Sequence, residues 1–188
     1  VAVNLPRLYA ITGAADSARA WWRRFEAMLD AGHTLVQLRC RQDDPETLER
    51  RARRAAGLCR SAGARLLLNG PVSLVRALDL AGIHLSSDSL VSYVERPLSR
   101  RRLVGASCHS AAELALAQRL GADFACLSPV LPTRSHPGAP SLGFERFAKL
   151  AGDCGIPVYA LGGLGPEDLD RVVAAGGYGV AGISAFWG

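Results

Sequence analysis

Pro157-Val158-Tyr159-Ala160-Leu161-Gly162-Gly163-Leu164-Gly165-Pro166 opens a segment that closes with Gly179-Val180-Ala181-Gly182-Ile183-Ser184. A short apolar run at 157–161 passes through glycines into a helical pattern at 165–175. A second apolar run follows at 179–183. Both runs are continuously apolar rather than alternating, which is the pattern of parallel strands covered on both faces. Pro166 suits the first turn of the helix between them. The unit is therefore strand, crossover helix, parallel strand.

The same unit recurs toward the N-terminus. Apolar runs lie at 8–11, 34–38, 65–68, 82–85, 103–107 and 123–127. Helical patterns lie between them at 17–31, 45–62, 71–80, 110–120 and 143–153. In the second helix Asp44 suits the cap, Pro45 the first turn and Gly63 the exit. Eight such strands predict an α/β chain folded as a compact (β/α)8 (TIM) barrel, one domain over 1–188. Two places are thin. Residues 86–99 are weakly helical and contain Pro97, so the fourth crossover is slight. After the eighth strand only Ala185-Phe186-Trp187-Gly188 remains, a truncated last helix. Trp187, an N-terminal segment or a second subunit in a homodimer is expected to cover that gap.

Composition narrows the classes. The 188 residues carry 22 Lys+Arg against 17 Asp+Glu, a formal net charge of +5, and 49% are hydrophobic. Disorder needs the opposite balance. No apolar run reaches the ~18 residues of a membrane span. The five cysteines (Cys40, Cys59, Cys108, Cys126, Cys154) are odd in number and lack metal spacing, so reduced thiols in a cytoplasmic protein are expected. Arg50, Arg51, Arg53 and Arg54 share a helix with Glu46 and Glu49. Such pairs decorate a solvated face, and no nucleic-acid partner is expected.

A barrel carries its chemistry at the C-terminal ends of its strands. Gly162 and Gly163 leave one strand there, and Ile183 and Ser184 the next. Glycines admit an anion to the backbone, and free N–H groups at a helix start favour phosphate; the plainer alternative is a tight turn. Gln37, Arg39 and Arg41 share parity on the second strand, and an Arg can hold a carboxylate or phosphate through paired hydrogen bonds. Asn69, Ser128 and Thr133 also fall at strand ends. His33 lies on the opposite end and reads as structural; His84, inside a strand, reads as core or lining. His109 falls near the mouth, where an imidazole suits proton transfer. His136, beside Arg134, lies in a long loop of the kind that closes over ligands. Asp88 is the only acid among the strand ends, so neither a metal nor another cofactor is expected.

These segments together resemble the thiamine phosphate synthase/TenI superfamily over nearly the whole chain. The resemblance rests on Val36-Gln37-Leu38-Arg39, Gly82-Ile83-His84-Leu85, Gly105-Ala106-Ser107-Cys108-His109, Ser128-Pro129-Val130-Leu131-Pro132-Thr133, Leu161-Gly162-Gly163 and Gly182-Ile183-Ser184. It implies a (β/α)8 fold and a small phosphorylated thiazole or thiamine phosphate ligand. The departures are specific. Arg41 stands where synthases carry a lysine, Gly70 and Ser89 where they carry magnesium-binding aspartates, and His136 where they carry a loop lysine.

The resemblance therefore implies a metal-independent thiazole tautomerase of TenI type, with His109 as acid/base. Gln37, Arg39, Arg41, Asn69, Ser128, Thr133 and His136 would face substrate, and Gly162, Gly163, Ile183 and Ser184 would hold phosphate. One alternative is a magnesium-dependent thiamine phosphate synthase that uses Asp88. The other is a non-catalytic ligand-sensing domain. That alternative follows from a second resemblance, carried by residues 132–140, 159–166 and 185–187, to the TenI-like domain at the C-terminus of MutT-type Nudix hydrolases. With Val1 as the first residue, it implies a fused N-terminal Nudix domain.

Overall fold

The computed structural model describes residues 4–133 and 140–188. The strands are β1 (Leu8–Ile11), β2 (Leu35–Leu38), β3 (Arg65–Leu68), β4 (Gly82–Leu85), β5 (Leu103–Cys108), β6 (Phe124–Leu127), β7 (Val158–Leu161) and β8 (Gly179–Gly182). All neighbours pair in parallel, and β1 pairs with β8, closing the barrel in chain order. The helices are α1 (Ala18–Asp30), α2 (Pro45–Ser61), α3 (Val72–Ala77), α4 (Ser87–Leu90), α5 (Ala111–Leu120), α6 (Gly143–Gly152), α7 (Leu169–Ala174) and α8 (Ser184–Trp187). The (β/α)8 reading of the sequence is correct.

Strand parity divides the core into two layers. Tyr9, Leu35, Leu67, Leu103, Phe124 and Tyr159 fill the barrel interior. Their strand neighbours Ala10, Val36, Leu68, Val104, Ala125 and Ala160 pack outward among the helices. Parallel strands sandwiched this way are apolar on both faces, which is why the sequence runs are continuous. Leu5 belongs to the interior layer, and the Tyr178 and Tyr159 hydroxyls donate to the carbonyls of Leu5 and Pro6. The N-terminal segment thus plugs the floor and leaves the C-terminal mouth for ligands.

Local chemistry sets the helix ends. Asp44 accepts the Thr47 N–H at 2.9 Å and caps α2 as expected. The third helix is shorter than the predicted 71–80, because Asp79 adopts φ 50° and turns the chain into β4. The predicted helix at 165–175 opens as a tight 3-10 turn, Pro166–Asp168, before α7.

Both thin places are one-turn helices, α4 and α8. Trp187 covers the gap after β8: its ring lies 5.0 Å from that of Trp21, and its Nε1–H donates to Ala14 O at 2.9 Å. Among the described residues, no helix is long and apolar enough to cross a membrane.

Candidate functional site: two clefts above a buried polar chain

A cleft of about 820 Å³ opens at the ends of β5 to β8. Gly162, Gly163, Gly182, Ile183 and Ser184 line one side, and His109, Ser128 and Thr133 another. Gly162 and Gly163 sit at φ 103° and 68°, in the left-handed region that favours glycine. A Cβ on Gly162 would stand 2.9 Å from Pro129 Cα, and one on Gly163 2.6 Å from Pro132 O. Their glycine character therefore lets the β6 loop lie against the β7 loop. Val130 N–H donates to Leu161 O at 2.9 Å and Leu131 N–H to Gly162 O at 3.0 Å. The backbone N–H groups of Gly162, Gly163, Ile183 and Ser184 have no protein acceptor among the described residues. Unpaired N–H groups on two adjacent turns are suited to cradle an anion.

His109 lies on the rim. Its Nδ1 is 2.8 Å from Ser128 O, and a carbonyl only accepts, so Nδ1 carries the proton. In the neutral ring this leaves Nε2 as the basic lone pair. The Ser128 hydroxyl is 3.3 Å from the same Nδ1. Thr133 lines the cleft, and His136 lies outside the described residues.

A second cleft, of about 440 Å³, lies over β1 and β2 and includes Arg39 and Arg41. Neither guanidinium is ion-paired among the described residues. Burial first, then the Arg41 charge, draws Arg39 below its usual value. Arg51 in the same cleft is already paired with Asp43 at 2.7 Å. Two unpaired guanidiniums make this a second place suited to an anion.

Between the clefts the barrel interior holds a polar chain. Gln37 Nε2 donates to Tyr9 Oη at 3.1 Å, and Tyr9 Oη lies 3.1 Å from His84 Nδ1. His84 Nε2 lies 2.9 Å from Ser107 Oγ. Burial, reinforced by the Arg39 charge, lowers the His84 value to about 3, so the ring is neutral. Tyr9 Oη accepts the Gln37 N–H, and the neutral ring carries one proton to share between its contacts with Tyr9 and Ser107.

Gln37, expected to face substrate, is 2% exposed in the barrel interior and bonded to Tyr9, and it lines neither cleft. Asn69 Nδ2 donates to His84 O at 2.9 Å and braces the β3–β4 ends. Two charged residues of the larger cleft, Arg146 and Glu167, were not legible as site residues. Both lie on helical turns with ordinary surface composition.

The residues present do not fit a magnesium centre. Gly70 follows β3 and Ser89 lies in α4, where the resemblance calls for carboxylates. Asp88 is exposed in the first turn of α4. Among the described residues, no three His, Cys, Asp or Glu side chains cluster to hold a metal.

Residues 8–186 match the family model described as thiamine monophosphate synthase. "Putative thiamine-phosphate synthase 2" of Aquifex aeolicus is 35% identical over 98% of this chain and 99% of its own length. Thiamine-phosphate synthase of Chloroflexus aurantiacus is 31% identical over 95% of this chain and 84% of its own. Thiamine-phosphate synthase of Parasynechococcus marenigrum is 36% identical over 88% of this chain, which spans only 48% of that longer protein. The solved thiamine phosphate pyrophosphorylase of Pyrococcus furiosus superposes with a TM-score of 0.80 at 26% identity, over 95% of this chain and 86% of that one.

Proposed function

The chain belongs to the thiamine monophosphate synthase family, and from that premise we propose that its larger cleft binds a phosphorylated thiazole destined for thiamine phosphate. The observation that carries this reading is the pair of adjacent turns, Gly162-Gly163 and Ile183-Ser184, that line the cleft and whose N–H groups have no acceptor among the described residues. Phosphate accepts several such donors at once.

Synthase-type coupling to a pyrimidine diphosphate is the reaction the relatives' names favour. Arg39 and Arg41, in the second cleft, are then the groups that meet the diphosphate charge. Gly70 has no side chain and Ser89 no carboxylate, so neither position offers the carboxylate oxygen that magnesium favours.

A second reading is tautomerisation of a thiazole phosphate carboxylate. It is favoured by His109, whose Nδ1 is held by Ser128 O while Nε2 stays basic beside the phosphate cradle. There Nε2 takes a proton from one ring position and returns it to another.

The deciding experiment incubates the chain with thiazole phosphate and pyrimidine diphosphate, with magnesium or with EDTA, and separately with the thiazole phosphate carboxylate. Thiamine phosphate in the first mixture assigns the synthase reaction. Aromatisation in the second assigns the tautomerase. Failure of thiazole phosphate to bind at millimolar concentration sinks both.

A further inference from the structure

We propose that Arg146 is the side chain that makes the larger cleft select a doubly charged phosphate over an uncharged ligand of the same shape. The proposal rests on the phosphate reading of that cleft and adds the residue that supplies the charge.

The cradle itself is neutral. Its donors are backbone N–H groups on Gly162, Gly163, Ile183 and Ser184. Such dipoles orient an anion but do not cancel its charge. Among the described residues lining the cleft, only Arg146 and Glu167 carry formal charge. Glu167 is turned back over its own loop, with its carboxylate where a Cβ on Gly165 would stand.

Arg146 is exposed and makes no ion pair, hydrogen bond or ring contact among the described residues. Its own helix offers it no acid, because Leu142, Gly143, Lys149 and Leu150 occupy the positions three and four residues away. By contrast, the nearby Arg171 lies 3.9 Å over the Phe144 ring, and Arg51 and Arg96 are ion-paired. An unpaired guanidinium at a cleft is a recognition group in waiting.

The backbone that carries Arg146 is held against the cradle. Leu142 N–H donates to Pro129 O and Gly143 N–H to Val130 O, each at 2.9 Å. The same β6 loop is bonded to Leu161 and Gly162. Phe147, the next residue, is fully buried and anchors the first turns of α6. The guanidinium therefore starts from a fixed base beside the glycine turns, which limits the ordering it must undergo on binding.

Calorimetry tests this with three probes: inorganic phosphate, the phosphorylated thiazole alcohol and the uncharged thiazole alcohol. Arg146→Gln is expected to weaken both phosphates about tenfold to a hundredfold, the range of a charge-assisted hydrogen bond. The alcohol should bind unchanged, and Arg146→Lys should recover part of the loss. Phosphate binding should also lose salt dependence in Arg146→Gln. Equal phosphate affinity in wild type and Arg146→Gln overturns the proposal and leaves the cradle reading standing. A parallel loss of alcohol binding also overturns it, because that marks a packing role. Arg146-dependent inorganic phosphate binding without thiazole phosphate binding upholds Arg146 and removes the thiazole. No phosphate binding by the wild type overturns both.

Discussion

His84 Nε2 lies 2.9 Å from Ser107 Oγ, in hydrogen-bond contact, although the two residues lie on different strands and 23 positions apart. The contact closes a chain that begins at Gln37 and passes through Tyr9. The chain lies in the buried interior below the clefts. Burial there holds the His84 imidazole neutral.

The first prediction follows from this neutrality. His84 has a folded value near 3 against 6.5 for a free imidazole. As pH falls below 6.5 the unfolded chain takes up the proton first, and the folded chain resists until pH approaches 3. Stability is therefore full above pH 6.5 and declines through that window, by at most about 1.4 kcal/mol per pH unit. His33, also lowered by burial, acts in the same direction. Urea denaturation across the window should show a shallower decline in His84→Gln than in wild type. Parallel curves, or ring-nitrogen NMR shifts of a charged His84 in the folded state well above pH 3, would refute the assignment.

Two glycines should respond to alanine with opposite signs. Gly57 lies inside α2 with nothing within 4 Å of an added Cβ. Gly57→Ala should stabilise by about 0.5–1 kcal/mol, because it removes only unfolded-state freedom. Gly162→Ala must hold a side chain at φ 103°, 2.9 Å from Pro129 Cα. It should destabilise by about 1–3 kcal/mol or more and weaken phosphate binding as the β6 loop retreats. Thermal melts resolve both, at roughly 2–4 °C per kcal/mol for a chain of this size.

The legibility of the site follows from periodicity. Strand parity is a local property, so a common face for Gln37 and Arg39 was readable from spacing alone. The glycine turn at 162–163 was readable because few residues tolerate its backbone. What Gln37 touches was not readable: its partner Tyr9 is 28 residues away, and Tyr9 reaches His84 over 75. The closure that brings them together belongs to the whole barrel. Arg146 escaped notice for a different reason. An arginine on a helix is normally a solvated residue, and only the seam between α6 and the β6 loop sets it beside a cleft.

For His109 the prediction separates chemistry from binding. With Nδ1 donating to Ser128 O, only Nε2 can exchange protons with a bound ligand. If tautomerisation is the reaction, His109→Ala should lower turnover by about 10²–10⁴-fold and leave phosphate affinity unchanged. His109→Gln keeps a donor for Ser128 O but offers no titratable group, so it should be as inactive as alanine. Full turnover in either variant removes His109 from proton transfer. Loss of phosphate affinity in both would instead make it part of the cradle.

The slight fourth crossover depends on one arginine. Arg96 Nη2 lies 2.7 Å from Asp123 Oδ2 and donates to Arg102 O, Nε donates to Leu98 O, and Nη1 donates to Gly121 O. Both side chains of the pair are only 10% exposed, and Asp123 Oδ2 also accepts the Val104 N–H at 2.7 Å. A single guanidinium thus ties residues after α4 to the starts of β5 and β6. Arg96→Met keeps the aliphatic bulk but removes the cation from a buried carboxylate, which keeps only the Val104 N–H, and the side-chain donor from three carbonyls. Breaking such a pair costs about 3–5 kcal/mol, a fall in melting temperature on the order of 10 °C. Asp123→Asn keeps an acceptor for Val104 but strands the Arg96 charge, so it should also destabilise. The double variant should lose less than the sum of the two, since each single change already removes the shared contact. None of these residues lines the larger cleft, so phosphate affinity measured well below the transition should be unchanged in all three. Additive losses would show that the crossover is held by its apolar contacts, Leu90 and Leu98 among them, rather than by this pair.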